Sequence, residues 1–235
     1  MGAPGFLLLH SPLLGPLAWQ EVAGELRRRG HAADAPAWPP LSSLAEDYYE
    51  GLAAGLANAL APGGDGLVLA AHSGAGALMP ALAARLGERV AGVVYVDAIL
   101  PHPGRSWFAT APADMRERLR AGAQMGELPS WDEWWPPGAL ERLVPDAARR
   151  GALIAELEPL PIGYFEEPAP PATLDAPSAY LQLSGAYDDE GKAAGRYGWP
   201  LVRLPLHHLA MLTNPQPVAA ALESLAQRLA DPADD

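Results

Sequence analysis

Leu69-Ala-Ala-His-Ser-Gly-Ala-Gly-Ala-Leu78 runs an apolar segment straight into a serine set among small residues. Gly66-Leu-Val-Leu-Ala-Ala71 reads as a buried strand and Ala75 to Leu86 as the helix after it. A strand, a sharp turn bearing a serine and a helix form the context in which a hydroxyl is presented as a nucleophile. Such a turn is tight, so small residues must flank it, and Ala71, Gly74 and Ala75 do so. Alanines stand where the G-x-S-x-G pattern has glycines. The plainer reading makes Ser73 an ordinary helix N-cap, so the rest of the chain has to decide between them.

Around this stretch, strand-like and helical periods alternate. Gly5-Phe-Leu-Leu-Leu-His10 is an apolar run of the kind buried parallel strands show. Trp19, Val22, Ala23 and Leu26 then recur at helical spacing up to Gly30, a good stop signal. His31 to Ala35 reads as a weak strand halted by Pro36, and Leu44 to Leu60 as a helix capped by Ser42 or Ser43. Val90-Ala-Gly-Val-Val-Tyr-Val96 is the run richest in β-formers and is expected at the sheet centre. This order predicts an α/β fold, a mostly parallel sheet with helices on both faces. From about His102 to Pro171 the rhythm breaks into prolines, tryptophans and short helices such as Ala113 to Gly122. It resumes with Ser178-Ala-Tyr-Leu-Gln-Leu183, Pro200-Leu-Val-Arg-Leu204 and a final helix whose apolar face holds Val218, Leu222, Leu225 and Leu229. The expected organisation is one domain over 1–235 with an insertion at 102–171.

Composition narrows the function. The 235 residues carry a formal net charge of -12, which argues against a phosphate-binding surface and so against a nucleic-acid partner. With no cysteine there is neither thiolate catalysis nor a thiolate metal site, and a reducing cytoplasm is compatible. The run Phe6 to Leu9 is too short to cross a bilayer and lacks a basic flank. The remaining expectation is a small-molecule substrate, no metal, no cofactor, no membrane partner, and a monomer or homodimer.

A serine needs a base, since an unassisted hydroxyl is a poor nucleophile. Leu204-Pro-Leu-His-His-Leu-Ala-Met-Leu-Thr-Asn-Pro215, between the last strand and the last helix, offers His207 and His208. The base in turn needs an orienting acid. Ser184-Gly-Ala-Tyr-Asp-Asp189 provides Asp188 and Asp189, while Asp97 at the end of the central strand is a rival. Ser73, Asp188, His208 is the chain order that accompanies a nucleophile elbow.

Four landmarks together, the His10-Ser-Pro-Leu13 loop, the Ser73 elbow, Gly185-x-x-Asp188, and His208 seven residues before Pro215, make the chain resemble the α/β-hydrolase superfamily over nearly its whole length. His10-Ser-Pro-Leu-Leu-Gly-Pro-Leu-Ala-Trp19 and Val96-Asp-Ala-Ile-Leu-Pro101 look like the branch of small esterases that includes plant hydroxynitrile lyases, and within it a group of unassigned actinobacterial hydrolase-like proteins. The resemblance implies Ser73 as nucleophile, His208 as base and Asp188 as acid, with Asp97 the alternative and His207 and His72 as bystanders. It implies an oxyanion hole from the Gly74 N–H and a group of the first loop. Alignment puts Pro12 at that second donor, and proline has no N–H, which leaves Leu13 or the Ser11 hydroxyl. The insertion is expected to be a lid whose Trp107, Trp131, Trp134 and Trp135, with His10, line an apolar substrate pocket. Tyr164 and Phe165 are further candidates, and Glu166 and Glu167 are a solvated pair or an amine site.

The expected function is a serine hydrolase acting on an ester or thioester of an apolar small molecule. The gap at Pro12 keeps open a lyase or cyclase that uses His208 as base. A non-catalytic binding protein is the remaining alternative.

Overall fold

The computed structural model describes residues 4–60 and 66–230. Strand β1 (Gly5–Leu9) is followed by helix α1 (Leu17–Arg28), strand β2 (Ala33–Asp34), helix α2 (Tyr48–Ala59), strand β3 (Leu67–His72), helix α3 (Met79–Leu86) and strand β4 (Val90–Val96). Strand β2 is shorter than the sequence suggests, since only Ala33 and Asp34 pair with β1. The insertion then holds α4 (Trp107–Thr110), α5 (Ala113–Gly122), β5 (Glu127–Leu128), α6 (Ala139–Leu143), α7 (Ala147–Ile154), β6 (Leu160–Pro161) and α8 (Ile162–Glu166). After it come β7 (Ser178–Gln182), α9 (Asp188–Arg196), β8 (Leu201–Arg203), α10 (Ala210–Thr213) and α11 (Pro215–Ala230). Six strands form one parallel sheet in the order β2-β1-β3-β4-β7-β8, so β3 and β4 are central. Helix α1 packs on α11 and α10, and α2 on α3, which covers the sheet. Among the described residues no helix is long and apolar enough to cross a membrane.

Helix α2 begins at Tyr48, later than the apolar period suggests. Leu41–Ser43 forms a separate 3-10 turn, and Ser43 Oγ donates to the Pro40 carbonyl instead of capping a helix. The free N–H groups of Tyr48 and Tyr49 are taken by the Glu167 carboxylate, at 2.8 and 3.1 Å. A residue from the far side of the insertion therefore caps α2. That replaces the expectation of a solvated Glu167; Glu166 pairs instead with Arg120 at 3.3 Å.

Within the insertion, β5 and β6 pair as an antiparallel ribbon. The two ends of the insertion close on each other, with Gly104 N–H donating to Ala169 O and Ala169 N–H to Arg105 O, both at 2.9 Å. Tyr164 and Phe165 are buried where it meets α2, Tyr164 against Tyr48 and Tyr49 and Phe165 against Trp107 and Phe108, so they serve packing.

The register of the sheet aligns the ends of its central strands. His72 lies opposite Val96 across the β3–β4 ladder, and Val96 opposite Leu181 across β4–β7. Ser73 and Asp97 therefore leave adjacent strands at the same level, beside the loop after β7.

Candidate active site

Ser73 has φ 55°, in the left-handed region that a residue with a Cβ rarely adopts, and it sits where β3 turns into a 3-10 segment, Ser73–Leu78, leading to α3. Such strain is held only where the surroundings fix it and it concentrates at functional sites. Here the next loop fixes it: Ile99 N–H donates to Ser73 O at 3.2 Å. Gly76 allows that approach, since a Cβ there would collide with the Ile99 carbonyl oxygen.

Asp97, fully buried, shares the unusual conformation with φ 43°. Its Oδ1 accepts from the N–H groups of Leu183 and Ser184, at 2.8 and 3.0 Å. Its Oδ2 accepts from Ser184 Oγ at 2.6 Å and from His208 Nδ1 at 2.9 Å. Burial alone would push this carboxyl up, but the bonds from His208, Ser184 and Leu183 outweigh it and hold it below the usual carboxylate range. The Tyr180 hydroxyl, donating to Ala98 O at 2.8 Å and accepting from Ala98 N–H at 3.1 Å, secures the same turn.

The expectation that Asp188 holds His208 is thus corrected. Asp188 is the first residue of α9 and its Oδ1 accepts from the Gln182 side-chain amide at 2.5 Å, while Gln182 also accepts from Arg203 Nε at 2.9 Å. It stabilises a helix start, as acids in a first turn do. Asp189 pairs with Lys192 at the surface.

His208, on the loop before α10, uses Nδ1–H for Asp97, which leaves Nε2 as an acceptor. The ring contacts two others. Tyr187 stacks on it with centroids 5.0 Å apart and planes 11° from parallel, and the His72 ring lies 4.4 Å away, tilted by 36°. His72 is fully buried and donates from Nε2 to the His208 carbonyl at 2.9 Å, which anchors the loop. Burial, and then the neighbouring His208, pushes His72 well below its ordinary value and keeps it neutral. His207 turns away: Nε2 meets Thr213 Oγ1 at 2.8 Å and Nδ1 accepts from Leu209 N–H at 3.3 Å.

Ser73, Gly74, Leu13, His208 and Tyr187 open on a cavity of about 330 Å³. Trp107, Trp131, Trp134 and Trp135 line it, as the sequence suggests, together with Met115 and Leu140 of α5 and α6. His10 does not line it. It is buried on the other side of the Pro12–Leu13 loop, where Nδ1–H bonds Ser11 O at 2.8 Å and its carbonyl accepts from Trp38 Nε1 at 2.7 Å. Ser11 is also buried, and its Oγ accepts from Leu13 N–H at 3.3 Å beside Gly74. Tyr187, which sequence reasoning passed over, places its hydroxyl 3.2 Å from Ser73 Oγ. Its only signal was its place next to Asp188.

Fold and site together define a hydrolase-type elbow. A model described as the alpha/beta hydrolase family matches residues 6–221, and the chain belongs to that family. Among characterised relatives, Esterase PIR7B of Oryza sativa subsp. japonica is 31% identical over 129 residues, 51% of this chain and 48% of that protein, so the match spans about half of it. A carbendazim hydrolyzing esterase of Nocardioides sp. (strain SG-4G) is 23% identical over 244 residues, covering 94% of this chain and 98% of that one. An extracellular alpha/beta-hydrolase from a Paenibacillus species superposes with a TM-score of 0.76 at 21% identity, over 94% of this chain and 98% of that one. A pyrethroid hydrolase from Sphingobium faniae JZ-2 gives 0.73 at 20%, over 95% and 97%. At these identities the structural likeness speaks for the fold alone. Family membership and the esterase relatives support ester hydrolysis as the general chemistry.

Proposed function

We propose that this chain hydrolyses a carboxylic ester or thioester of an apolar small molecule, with Ser73 as nucleophile, His208 as base and Asp97 as the acid that orients it. The observation that carries the reading is the pairing of His208 Nδ1 with the buried Asp97 carboxylate, beside a serine held at φ 55° on the cavity wall. Asp97 fixes the tautomer with Nε2 unprotonated, the form that can take the Ser73 proton. Ser73 Oγ then bonds to the acyl carbon, and His208 returns the proton to the leaving oxygen or sulfur. Water repeats the sequence to release the acid and restore Ser73.

The developing oxyanion would be met by Gly74 N–H and by Leu13 N–H, whose 3.3 Å bond to Ser11 Oγ is long enough to be exchanged. Pro12, at the alignment position of the second donor, offers none. That one departure favours a second reading, a lyase or cyclase with His208 as base, in which no full oxyanion forms. The tryptophan-lined cavity suits a flat or branched apolar group, with residues 102–171 as its lid. The esterase names of the relatives agree with the first reading. Turnover of p-nitrophenyl esters of graded acyl size by wild type, lost in Ser73→Ala, tests it. Failure of wild type on every ester, with retained fold, would overturn it in favour of the lyase.

A further inference from the structure

We propose that Tyr187 is a catalytic residue of this site, its hydroxyl bonding the Ser73 oxygen at rest and the attacking water in the acyl-enzyme. The proposal rests on the serine-hydrolase reading and adds a residue to it.

Tyr187 ends the short 3-10 turn Gly185–Tyr187 between β7 and α9. That turn begins one residue after Ser184, which is bonded to Asp97. Tyr187 is therefore placed by the same loop that holds the acid. Its ring lies flat on the His208 ring and its hydroxyl reaches Ser73 Oγ at 3.2 Å. A group stacked on the base and bonded to the nucleophile borders the zone between them. In a serine hydrolase that zone is occupied in turn by the serine hydroxyl, the leaving group and the attacking water.

The proton inventory fits. During acylation the Ser73 proton passes to His208 Nε2, the Oγ–acyl bond forms, and the leaving group departs with that proton. Oγ is then an ester oxygen and a poorer partner, so the Tyr187 hydroxyl is released to pair with water. His208 Nε2 removes a proton from that water as its oxygen bonds to the acyl carbon, and Oγ leaves carrying the proton from His208. Tyr187 keeps its own proton throughout. Burial pushes its pKa up and the bond to Ser73 opposes this only in part, so the hydroxyl stays protonated and acts as a hydrogen-bonding group and not as a base.

Tyr187→Phe keeps the ring on His208 and removes one oxygen that faces the cavity. The test is stopped-flow hydrolysis of a p-nitrophenyl ester by wild type and Tyr187→Phe, with methanol added as a competing acceptor. The expected result is a retained burst of p-nitrophenol followed by a steady state slowed about tenfold to a hundredfold, the scale of one lost hydrogen bond, with a changed methyl ester to acid ratio. A role in packing alone would leave that ratio unchanged, whatever the melting temperature does. Wild-type kinetics and partitioning in Tyr187→Phe would overturn the proposal and leave the hydrolase reading standing. A wild type that turns over no ester would overturn both.

Discussion

His208 Nδ1 and Asp97 Oδ2 are 2.9 Å apart although the two residues are separated by 111 positions. The parallel register that sets β4 between β3 and β7 brings them together. Asp97 follows β4 directly, and its φ of 43° turns the carboxylate toward the β7 loop. The loop amides of Leu183 and Ser184 then hold it in place.

Replacing that carboxylate should silence the site while leaving its rival untouched. Asp97→Asn is expected to lower kcat by about 10³–10⁴, the scale seen when a triad base loses its orienting carboxylate. Asp188→Asn is expected to keep kcat within about threefold, because Asp188 serves the start of α9. Steady-state kinetics of both variants on one ester decide the matter; the reverse order would restore Asp188 as the acid.

Buried histidines make stability depend on pH. Burial pushes His10 down to about 4 in the folded chain, against about 6.5 unfolded. The unfolded chain therefore binds the proton first. Stability is full above about 6.5 and falls as the pH drops toward about 4, with a loss of about 3 kcal/mol from this residue. His72, lowered by burial in the same direction, adds to the fall. Asp97 acts lower: its folded value lies below the unfolded one, so its contribution is present above about 4 and is lost as the pH falls further. Urea unfolding at pH 7, 6, 5 and 4 should show the first fall, reduced in His10→Gln. A flat profile would contradict the assignment.

Gly76→Ala tests the packing that positions the elbow. The added methyl meets the Ile99 carbonyl oxygen, so the loop that carries Asp97 must shift. Overpacking of this kind costs about 1–3 kcal/mol. The prediction is a lowered melting temperature together with lost activity; a normal melting curve with full activity would show that the contact is slack.

Much of this fold was legible in the chain. Apolar runs such as Phe6 to Leu9 and Val93 to Val96 announce buried strands, and Ser73 and His208 stand at the two turns where the structure brings them to one cavity. The carboxylate that pairs with His208 was not legible in the same way. Asp188 has the right spacing after Gly185, yet what decides is the register of β4 on β7 and a backbone angle at Asp97, and neither leaves a local trace. His10 sits in the expected loop, but its ring is drawn to the Ser11 carbonyl and the Trp38 side away from the cavity. The start of α2 depends on Glu167, more than a hundred residues later.

Trp135 offers a clean probe of the pocket, because it is 39% exposed and yet lines the cavity. Trp135→Ala should raise KM for a bulky apolar ester about fivefold, roughly 1 kcal/mol of lost contact, with little change in melting temperature. An unchanged KM across acyl sizes would remove Trp135 from the substrate site.

The most direct test of the central claim is the intact mass of the protein after treatment with a fluorophosphonate, which reacts with an activated serine. One adduct per chain is expected on wild type and on Asp188→Asn, none on Ser73→Ala, and strongly slowed labelling of His208→Ala and Asp97→Asn. An unlabelled but folded wild type, or an adduct that survives Ser73→Ala, would contradict the claim.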